Sequence, residues 1–339
     1  MRKVAVVGCG PIGLTTACMI QEKLHNVQVI IYTENESPNT TGDISAGFWT
    51  PVYTENTPIE HVMRWSRRTL KHLIELWKSG KANETGLSLV PVLMLSEEPN
   101  FSVPEWSKIA IGYTELSPED IQTYCVEFQK NFKGGFTYIS FTWEPSIFLP
   151  YLKKKFLEKG GIVVHKRIDD INQLSHFDVI VYCTGLDAKY LLHDEKLYPV
   201  RGQLQRVSAP WLFQVIFDSE CYIIPNINCV ILGGTKQKND YETIIREDDK
   251  NNIVKRCTNL EPSLKESILI KDMVGLRPCR TETRLELEIL NLNEKHLPII
   301  YNYGHGGSGV TFSYGCAWEA CDLVNDALNI INAKNKSKL

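Results

Sequence analysis

The sequence feature that most constrains the fold is a glycine-rich turn close to the start of the chain. Apolar residues 4–7 run directly into residues 8–13, which read GCGPIG, and residues 14–24 follow with the pattern of a helix. In such a strand–turn–helix unit, one glycine permits the tight turn, one lets the backbone approach a pyrophosphate, and one lets the helix pack on the strand. The helix N-terminus adds free N–H groups for the phosphates. We therefore expect a dinucleotide to contact Gly8, Gly10, Ile12 and Gly13.

An acidic residue narrows the choice of dinucleotide. Residues 27–32 are predicted to form a second strand, and Glu34 follows it, 21 residues after Gly13. A carboxylate at this place accepts hydrogen bonds from the ribose hydroxyls and disfavours a 2′-phosphate. FAD or NAD is thus expected rather than NADP. The alternative is an ordinary α/β unit whose glycine turn binds no cofactor.

The composition excludes several classes of partner. A net charge of −3 leaves no general basic field that would attract nucleic acid or an anionic membrane, so neither is expected to bind. No uninterrupted apolar stretch is long enough to span a bilayer. The ten cysteines form no CxxC pair and no zinc-ligand spacing, which predicts a reduced compartment and no metal site. With 339 residues, the chain can form one large domain or two interleaved domains.

Hydrophobic periodicity predicts further helices and strands. Helices are expected at 60–78 and 145–159, and another is expected to begin within 260–267. Strands are expected at 87–95, 161–165, 177–183, 202–207, 221–225, 229–232 and 283–290. The alternation in the last of these segments predicts one charged, solvent-exposed face, to which Arg280 and Arg284 are assigned. Residues 37–51 are expected to form a polar, turn-rich connection.

A second glycine-dense loop lies near the C-terminus. Four of the six residues 304–309 are glycine, and they separate a predicted strand at 297–303 from a predicted helix at 311–329. This arrangement again offers backbone N–H groups and a close approach to a flat or anionic ligand. Ligand contact is the favoured interpretation, and a surface loop is the alternative. His305 is interpreted as structural, because no Ser/His/Asp or Cys/His set accompanies it.

Two side chains are candidates for binding a substrate carboxylate. Arg277 follows an apolar run, and an arginine in such a place is costly to bury unless it pairs with an anion. Its planar guanidinium can grip a carboxylate through two parallel hydrogen bonds. The alternative is an internal salt bridge. Tyr222, at the head of a predicted strand, could offer a phenol to the same carboxylate, or could simply belong to the core.

The last three residues match a targeting signal. Residues 337–339 read SKL, which matches the tripeptide that the peroxisomal import receptor recognises at a free C-terminus. The predicted cofactor strand begins at residue 3, so no signal or transit peptide is expected before it. We therefore expect a peroxisomal matrix protein.

The sequence resembles the FAD-dependent D-amino-acid oxidase family over nearly its whole length. The matching segments are VAVVGCGPIGLTTA, TTGDISAGFWTP, VIVYCTGL, YPVRGQL, LGGTKQKNDY, VGLRPCR and YGHGGSGVTFSYGCAWEA. The last segment is close to the family signature, except that Tyr301 stands shortly before it where a histidine is usual. PVRGQ and GGTKQK are similar to the branch that acts on D-aspartate.

The resemblance implies an α/β fold in which a Rossmann-like FAD-binding domain is interleaved with an antiparallel-sheet substrate domain. The FAD-binding domain would comprise approximately residues 1–50, 150–190 and 295–330, and the substrate domain approximately 51–149 and 191–294. Residues 331–339 would form a flexible tail with the targeting signal.

The resemblance also assigns site residues. FAD contacts are implied for Gly8, Gly10, Ile12, Gly13, Glu34, Asn35, Thr41, Gly42, Phe48, Ile168, Gly306, Gly307, Gly309, Val310 and Thr311. Arg277 and Tyr222 would hold the substrate α-carboxylate, Ser308 or its neighbours would lie near the flavin and the amino group, and Lys236 would face the substrate side chain. The implied reaction transfers the α-hydrogen as hydride to the flavin and uses O2 to give a 2-oxo acid, ammonia and hydrogen peroxide, which suits a peroxisomal address.

Departures from the family pattern bear on the substrate. The segment VIFDSECY lacks the arginine that the D-aspartate branch places before the Tyr222 strand, and Lys236 replaces a second arginine in GGTKQK. Lysine keeps the charge but loses the bidentate fork. We therefore expect a preference for D-aspartate and D-glutamate that is weaker than usual. The alternatives are an oxidase of neutral or basic D-amino acids, an NAD-dependent dehydrogenase, and a dinucleotide-binding protein without turnover.

Overall fold

The N-terminal glycine turn folds as the sequence predicts. The structure, a computed structural model, describes residues 1–52, 54–292 and 295–336. Strand β1 (Arg2–Val7) leads through the turn into helix α1 (Pro11–Lys23), and β2 (Val27–Thr33) pairs with β1 in parallel. Pro11 stands in the first turn of α1, where its missing N–H removes no helical hydrogen bond. The predicted strand–turn–helix–strand unit is confirmed.

The next hundred residues add an antiparallel group of strands with helices around it. In chain order these elements are α2 (Thr41–Ile44), α3 (Ile59–Lys78), α4 (Ala82–Thr85), β3 (Leu87–Ser96), β4 (Ile111–Glu115), α5 (Pro118–Phe128) and β5 (Gly134–Trp143). β5 pairs in antiparallel fashion with both β3 and β4. The predicted helix at 60–78 and strand at 87–95 are confirmed, and residues 37–51 form a connection that contains only the short α2.

The chain then returns to the parallel strands and afterwards leaves them again. The elements are α6 (Pro145–Glu158), β6 (Ile162–His165), β7 (Val179–Tyr182), α7 (Ala188–Leu191), β8 (Leu197–Ser208), β9 (Val215–Phe217), β10 (Tyr222–Pro225), β11 (Val230–Gly233) and β12 (Gln237–Lys238). β10 pairs with β11 and β11 pairs with β8, both in antiparallel fashion, so the predicted neighbouring strands are confirmed.

The last third consists of two long helices and two long strands. They are α8 (Glu247–Leu260), β13 (Ile268–Leu292), β14 (Lys295–His305) and α9 (Gly309–Lys336). The prediction that a helix begins within 260–267 is wrong. α8 already ends at Leu260, and Pro262, which cannot donate a backbone hydrogen bond, opens a single 3₁₀ turn instead.

The described strands form one continuous sheet with a parallel half and an antiparallel half. Its order is β4-β5-β3-β9-β10-β11-β8-β13-β14-β7-β1-β2-β6. The pairs β14–β7, β7–β1, β1–β2 and β2–β6 are parallel, whereas β8, β10, β11, β13 and β14 pair with one another in antiparallel fashion. Within the second half, β3 and β9 are an exception and pair in parallel. The predicted fold class, a Rossmann-like unit joined to an antiparallel sheet, is therefore confirmed. The division into domains by residue number stays a prediction.

The parallel half is buried on both faces. Val4 and Val6 pack in a cluster with α1 residues, whereas Ala5 and Val7 pack on the opposite face with Ile180. This explains the near-continuous apolar sequence of β1, which is typical of a strand covered on both sides. α1 packs against α9 and α6, and α3 packs against α9. None of the described helices combines the length and apolar character needed to cross a bilayer.

Candidate active site

A large cavity lies where the parallel and antiparallel halves of the sheet meet. Its volume is about 390 Å³, and its walls come from the glycine turn, the C-terminal ends of β1, β2 and β7, the loop before α9, and the face of the antiparallel strands. Ligands bind outside the carboxyl ends of parallel strands in open α/β sheets, so this is the expected position for a cofactor. The predicted site residues can be compared with this cavity one group at a time.

The three glycines of the first turn have different roles. Gly8 has φ of +108°, and a Cβ there would overlap the Cys183 carbonyl oxygen. Gly13 packs against the turn itself, because a Cβ would overlap the Gly8 carbonyl, and it does not line the cavity. Gly10, in contrast, lines the cavity and has no atom within 4 Å of its Cβ position. The turn therefore needs Gly8 and Gly13 for its shape, and it leaves open space in front of Gly10.

One end of the cavity carries paired charges. Glu34 follows β2, and its carboxylate accepts a hydrogen bond from Arg167 at 2.6 Å, while Arg167 also donates to Asp169 at 2.8 Å. These contacts raise the pKa of Arg167, chiefly through Glu34. Ile168, which is buried, and Asn35 line the same region. The predicted ribose-binding carboxylate thus lies at the cavity with a guanidinium that the sequence did not point to.

The connection after β2 is held by a short helix cap. The Asp43 carboxylate accepts hydrogen bonds from the Thr40 backbone N–H at 2.9 Å and from the Thr40 hydroxyl at 2.7 Å. This cap presents Thr41 and Gly42 to the cavity, and a Cβ at Gly42 would come within 2.5 Å of Pro11 Cδ. Phe48 lines the cavity as well. The predicted cofactor residues of this segment therefore lie beside the glycine turn.

The loop before α9 is only in part as predicted. Gly306, Gly307, Gly309 and Val310 line the cavity. Ser308 and Thr311 are buried and do not, because both are engaged by the segment 48–52. The Ser308 hydroxyl donates to the Val52 carbonyl, and the Thr311 hydroxyl accepts from the Thr50 N–H at 3.2 Å. Both hydroxyls therefore fasten the loop, and the neighbours of Ser308, Gly307 and Gly309, are the residues there that line the cavity.

His305 lines the cavity but is a poor candidate for a general base. It is only 3% exposed, and burial lowers the pKa of its imidazole to about 3. The neutral ring is therefore a weak base at neutral pH. This agrees with the interpretation of His305 as a structural residue.

Arg277 and Tyr222 lie at the antiparallel end of the cavity. The Arg277 Nη1 donates to the Thr235 carbonyl at 3.1 Å, and no carboxylate of the described residues lies within ion-pair distance of its guanidinium. The internal salt bridge considered from the sequence is thus absent there. Tyr222 stacks on Phe217 with ring centroids 5.4 Å apart, and both line the cavity. The structure brings together the two side chains predicted to hold a carboxylate.

Lys236 does not line the cavity. It lies in the exposed stretch between β11 and β12. The cationic side chains that do line the cavity are those of Lys166, Arg167 and Arg277, and the first two belong to the Glu34 end. Arg277 is therefore the one cation of the cavity wall at the Tyr222 end, as far as the described residues go.

Arg280 and Arg284 are not the solvated charges that the strand pattern predicts. Arg280 is buried, and its Nε donates to Asp194 at 2.9 Å. Arg284 is partly buried; its guanidinium lies 3.6 Å from the centre of the Tyr301 ring, and its Nη1 donates to the Tyr303 hydroxyl at 2.8 Å. Arg280 therefore belongs to a buried network and Arg284 is partly covered, whereas Glu286 and Glu288 on the same strand are exposed, as the predicted alternation requires.

Polar residues of the cavity wall were missed from the sequence. Thr184 and Asn302 line the cavity, and each has a buried side-chain oxygen without a hydrogen-bond partner in the described protein. Thr184 directly follows β7, and Asn302 lies on β14 next to it, so the rule that ligands bind at strand ends could have found them.

Comparisons with known proteins agree with this geometry. The model of the DAO family, described as FAD dependent oxidoreductase, matches residues 3–323. The chain belongs to this family. It is 34% identical to D-aspartate oxidase from Homo sapiens over 97% of this chain and 96% of the human protein. It is also 34% identical to D-amino acid oxidase from Dugesia ryukyuensis, over 96% of this chain and 98% of the planarian protein.

Solved structures support the fold. Glycine oxidase from Geobacillus kaustophilus superposes with a TM-score of 0.75 at 18% identity, covering 96% of this chain and 95% of that one. L-α-glycerophosphate oxidase from Mycoplasma pneumoniae, solved with FAD bound, gives a TM-score of 0.69 at 14% identity over 96% and 95% of the two chains. Both show the same arrangement of sheet and helices.

The cofactor is FAD, because the family is FAD-dependent. This finding excludes the NAD alternative. The residues present fit the group. The space in front of Gly10 admits a pyrophosphate, and the unpartnered oxygens beneath the cavity wall are suited to a polar ligand. Within the residues that the structure describes, no cluster of three or more His, Cys, Asp or Glu side chains could hold a metal ion. The protein is thus an FAD-dependent oxidoreductase of the DAO family.

Proposed function

We propose that this protein oxidises D-amino acids and prefers D-aspartate and D-glutamate. The observation that carries the proposal is the Arg277 guanidinium, which lies in the cavity wall beside Tyr222 with no carboxylate partner among the described residues. A buried or half-buried guanidinium without an anion is stabilised by a carboxylate ligand, and its planar fork matches one. An amino acid bound through its α-carboxylate at Arg277 would place its α-carbon inside the cavity.

The chemistry matches what the chain supplies. Bound FAD would supply the hydride acceptor for the α-hydrogen, and O2 would be the final electron acceptor. The balanced reaction converts an amino acid, O2 and water into a 2-oxo acid, ammonia and hydrogen peroxide. Arg277 and Tyr222 orient the substrate, and a hydride transfer requires no protein base for the α-hydrogen. The weak basicity of His305 is therefore no obstacle.

The preference for acidic substrates depends on Lys236. The Thr235 carbonyl accepts a hydrogen bond from Arg277, so the Lys236 backbone begins immediately beside the proposed α-carboxylate site. The four-carbon stem of lysine is flexible and carries its charge several ångströms from the backbone, and we propose that this charge contacts the substrate side chain at that site. Similarity to a D-aspartate oxidase supports the same preference.

One observation favours neutral D-amino acids as the second candidate. At the Tyr222 end, the cavity wall consists mainly of apolar and aromatic side chains, among them Leu204, Phe217 and Ile224, with Arg277 as the one cation of the described wall. A second substrate carboxylate there would be desolvated without a partner unless Lys236 reaches it. Similarity to a D-amino acid oxidase is equally strong.

A spectrum and a substrate panel test the proposal. Purified protein should show flavin absorption that an acidic D-amino acid bleaches without oxygen, and a peroxide-coupled assay should rank D-amino acids by kcat/KM. Failure of every D-amino acid to bleach a fully reconstituted flavin would refute the oxidase assignment.

The side-chain preference has its own test. In Lys236→Met, the ratio of kcat/KM for D-aspartate to that for D-alanine should fall at least tenfold. Lys238→Met is the matched control, because Lys238 is exposed two residues away and contacts the Tyr198 ring instead. If neither variant changes the ratio of kcat/KM for D-aspartate to that for D-alanine, Lys236 does not select the substrate. That result would favour neutral D-amino acids as substrates.

We further propose that the protein is imported into peroxisomes. Residues 337–339, which carry the SKL tripeptide, lie outside the described residues, so the support is the sequence together with the hydrogen peroxide that the proposed reaction forms. Deleting these three residues should move a fluorescent fusion, tagged at its N-terminus, from peroxisomes to the cytosol while kcat stays unchanged. A peroxisomal signal that survives the deletion would refute the assignment.

A further inference from the structure

Arg277 and Tyr222 reach towards each other across two strands that carry glycine. In the sheet order β10-β11-β8-β13, Tyr222 lies on β10 and Arg277 lies on β13. The inner strand β11 carries Gly233 directly opposite Tyr222, and the inner strand β8 carries Gly202, two residues from Val200, the partner of Arg277. Side chains two residues apart on a strand share one face, so both glycines lie on the face used by the two side chains.

A left-handed backbone is not the reason for glycine at these two positions. Neither Gly202 nor Gly233 has a φ in the left-handed region that favours glycine. What requires glycine is the close approach of the side chains. A Cβ at Gly202 would lie 2.5 Å from Arg277 Nη2 and 2.6 Å from Cζ, so the flat guanidinium rests on the glycine Cα. A Cβ at Gly233 would overlap the tip of the Tyr222 ring in the same way.

A third contact fixes the guanidinium from the side. Arg277 Nη1 donates to the Thr235 carbonyl, and the Thr235 hydroxyl accepts from the Gln203 N–H at 2.8 Å. Gln203 is the neighbour of Gly202, so the support beneath the guanidinium and the support beside it belong to one hydrogen-bonded unit. The phenol of Tyr222 points to the same place, because a Cβ at Gly234 would come within 2.8 Å of its hydroxyl.

We propose that Gly202 and Gly233 are positioning residues. They set how closely the Arg277 and Tyr222 side chains approach the sheet, so that both side chains can contact one substrate carboxylate. This inference rests on the proposed function only in taking the bound carboxylate to be that of an amino acid substrate. Gly202 lines the cavity and Gly233 does not, and in this proposal both act through the side chains that lie on them. The register of four strands, and not a loop, therefore defines the carboxylate site.

The geometry gives the size of the effect. Alanine at position 202 must push the guanidinium from 2.5 Å to an ordinary contact of at least 3.4 Å, a displacement of about 1 Å. The group that moves is the end of a flexible side chain, so the fold can accept the methyl group without large strain. A misplacement of about 1 Å at a substrate-binding group can lower the rate about 100-fold. Gly202→Ala should thus impair function while leaving stability nearly unchanged.

The test is a double-mutant cycle that measures carboxylate binding without turnover. Propionate and succinate, which are D-alanine and D-aspartate without the amine, are titrated calorimetrically into the FAD-loaded protein. Gly202→Ala should weaken binding of either anion at least tenfold when position 277 is arginine. In the Arg277→Lys background the same substitution should cost less than about threefold, since a lysine has no planar fork lying on position 202. The melting temperature should change by less than about 2 °C.

The outcomes separate the inference from the proposed function. Equal losses from Gly202→Ala in both backgrounds would overturn the positioning role, as would tight anion binding in Gly202→Ala itself or no binding in the parent protein. A parent protein that binds propionate or succinate but oxidises no D-amino acid would refute the oxidase proposal alone. Gly233→Ala, compared in the Tyr222 and Tyr222→Leu backgrounds, gives the same cycle for the second glycine.

Discussion

The buried ion pair between Asp194 and Arg280 yields the sharpest stability prediction. The Asp194 carboxylate accepts hydrogen bonds from Arg280 Nε and from the Tyr303 hydroxyl, each at 2.9 Å, and the two charged side chains are only 6% and 8% exposed. Asp194→Asn removes the negative charge and leaves the guanidinium buried with the Glu282 carbonyl as a remaining acceptor. Breaking one side of a buried pair costs about 3–5 kcal/mol, and we expect a loss of this size.

Urea unfolding at saturating FAD measures this loss, with the denaturation midpoint converted through an unchanged slope. Glu286→Gln is the matched control, because Glu286 pairs with Arg284 on the same strand but is 56% exposed. An exposed pair contributes between zero and about 1 kcal/mol, so the control should remain close to the parent. If Asp194→Asn loses less than about 1 kcal/mol, or no more than the control, the buried network does not stabilise this part of the sheet.

Three further predictions follow from the site. Arg277→Ala should lower kcat/KM at least about 100-fold for every carboxylate substrate, as steady-state kinetics will show, and near-normal kinetics would exclude it as the carboxylate ligand. Gly10→Ala should leave the melting temperature of the apoprotein unchanged, since its Cβ meets no atom within 4 Å, yet weaken FAD binding more than tenfold by fluorescence titration; unchanged affinity would place the pyrophosphate elsewhere. Burial raises the pKa of Asp194, but its hydrogen bonds from Arg280 and Tyr303 outweigh this and lower the pKa below its usual value. Its contribution to stability is therefore present above about pH 4 and is lost as pH falls further, so Asp194→Asn should lose less stability than the parent between pH 5 and pH 3.

The parts of the fold that follow from local pattern could be predicted from the sequence. The β1–α1–β2 unit is specified within about thirty residues by apolar runs, glycines and one acid, and the structure confirms it. The prediction that a helix begins within 260–267 was wrong because Leu260 is the last residue of α8 and Pro262 opens a separate 3₁₀ turn. Local periodicity gave the correct kind of element there but could not distinguish the start of a helix from its end.

The site residues whose role depends on distant partners could not be predicted. Arg280 looks like a surface charge in a strand pattern, and its partner Asp194 lies 86 positions away. The resemblance places Ser308 or its neighbours near the flavin, and only the fold shows that the Ser308 hydroxyl donates to the Val52 carbonyl, 256 positions away. A hydrophobic pattern indicates which face of an element is buried, but it does not identify the polar residue that pairs with a side chain on that face. The roles of such paired residues are therefore seen only in the three-dimensional structure.

The arrangement of the cavity separates substrate binding from substrate selection. Arg277 rests on the sheet itself, through Gly202 and Thr235, so the carboxylate site cannot change without a change in strand register or in the glycines. Lys236, in contrast, is exposed and outside the cavity wall, where substitutions seldom alter stability. Under the proposed function, side-chain preference can change at the rim of the cavity while the carboxylate site is retained. Because the chain is 34% identical both to a D-aspartate oxidase and to a D-amino acid oxidase, we expect variants at position 236 to distinguish the two substrate preferences.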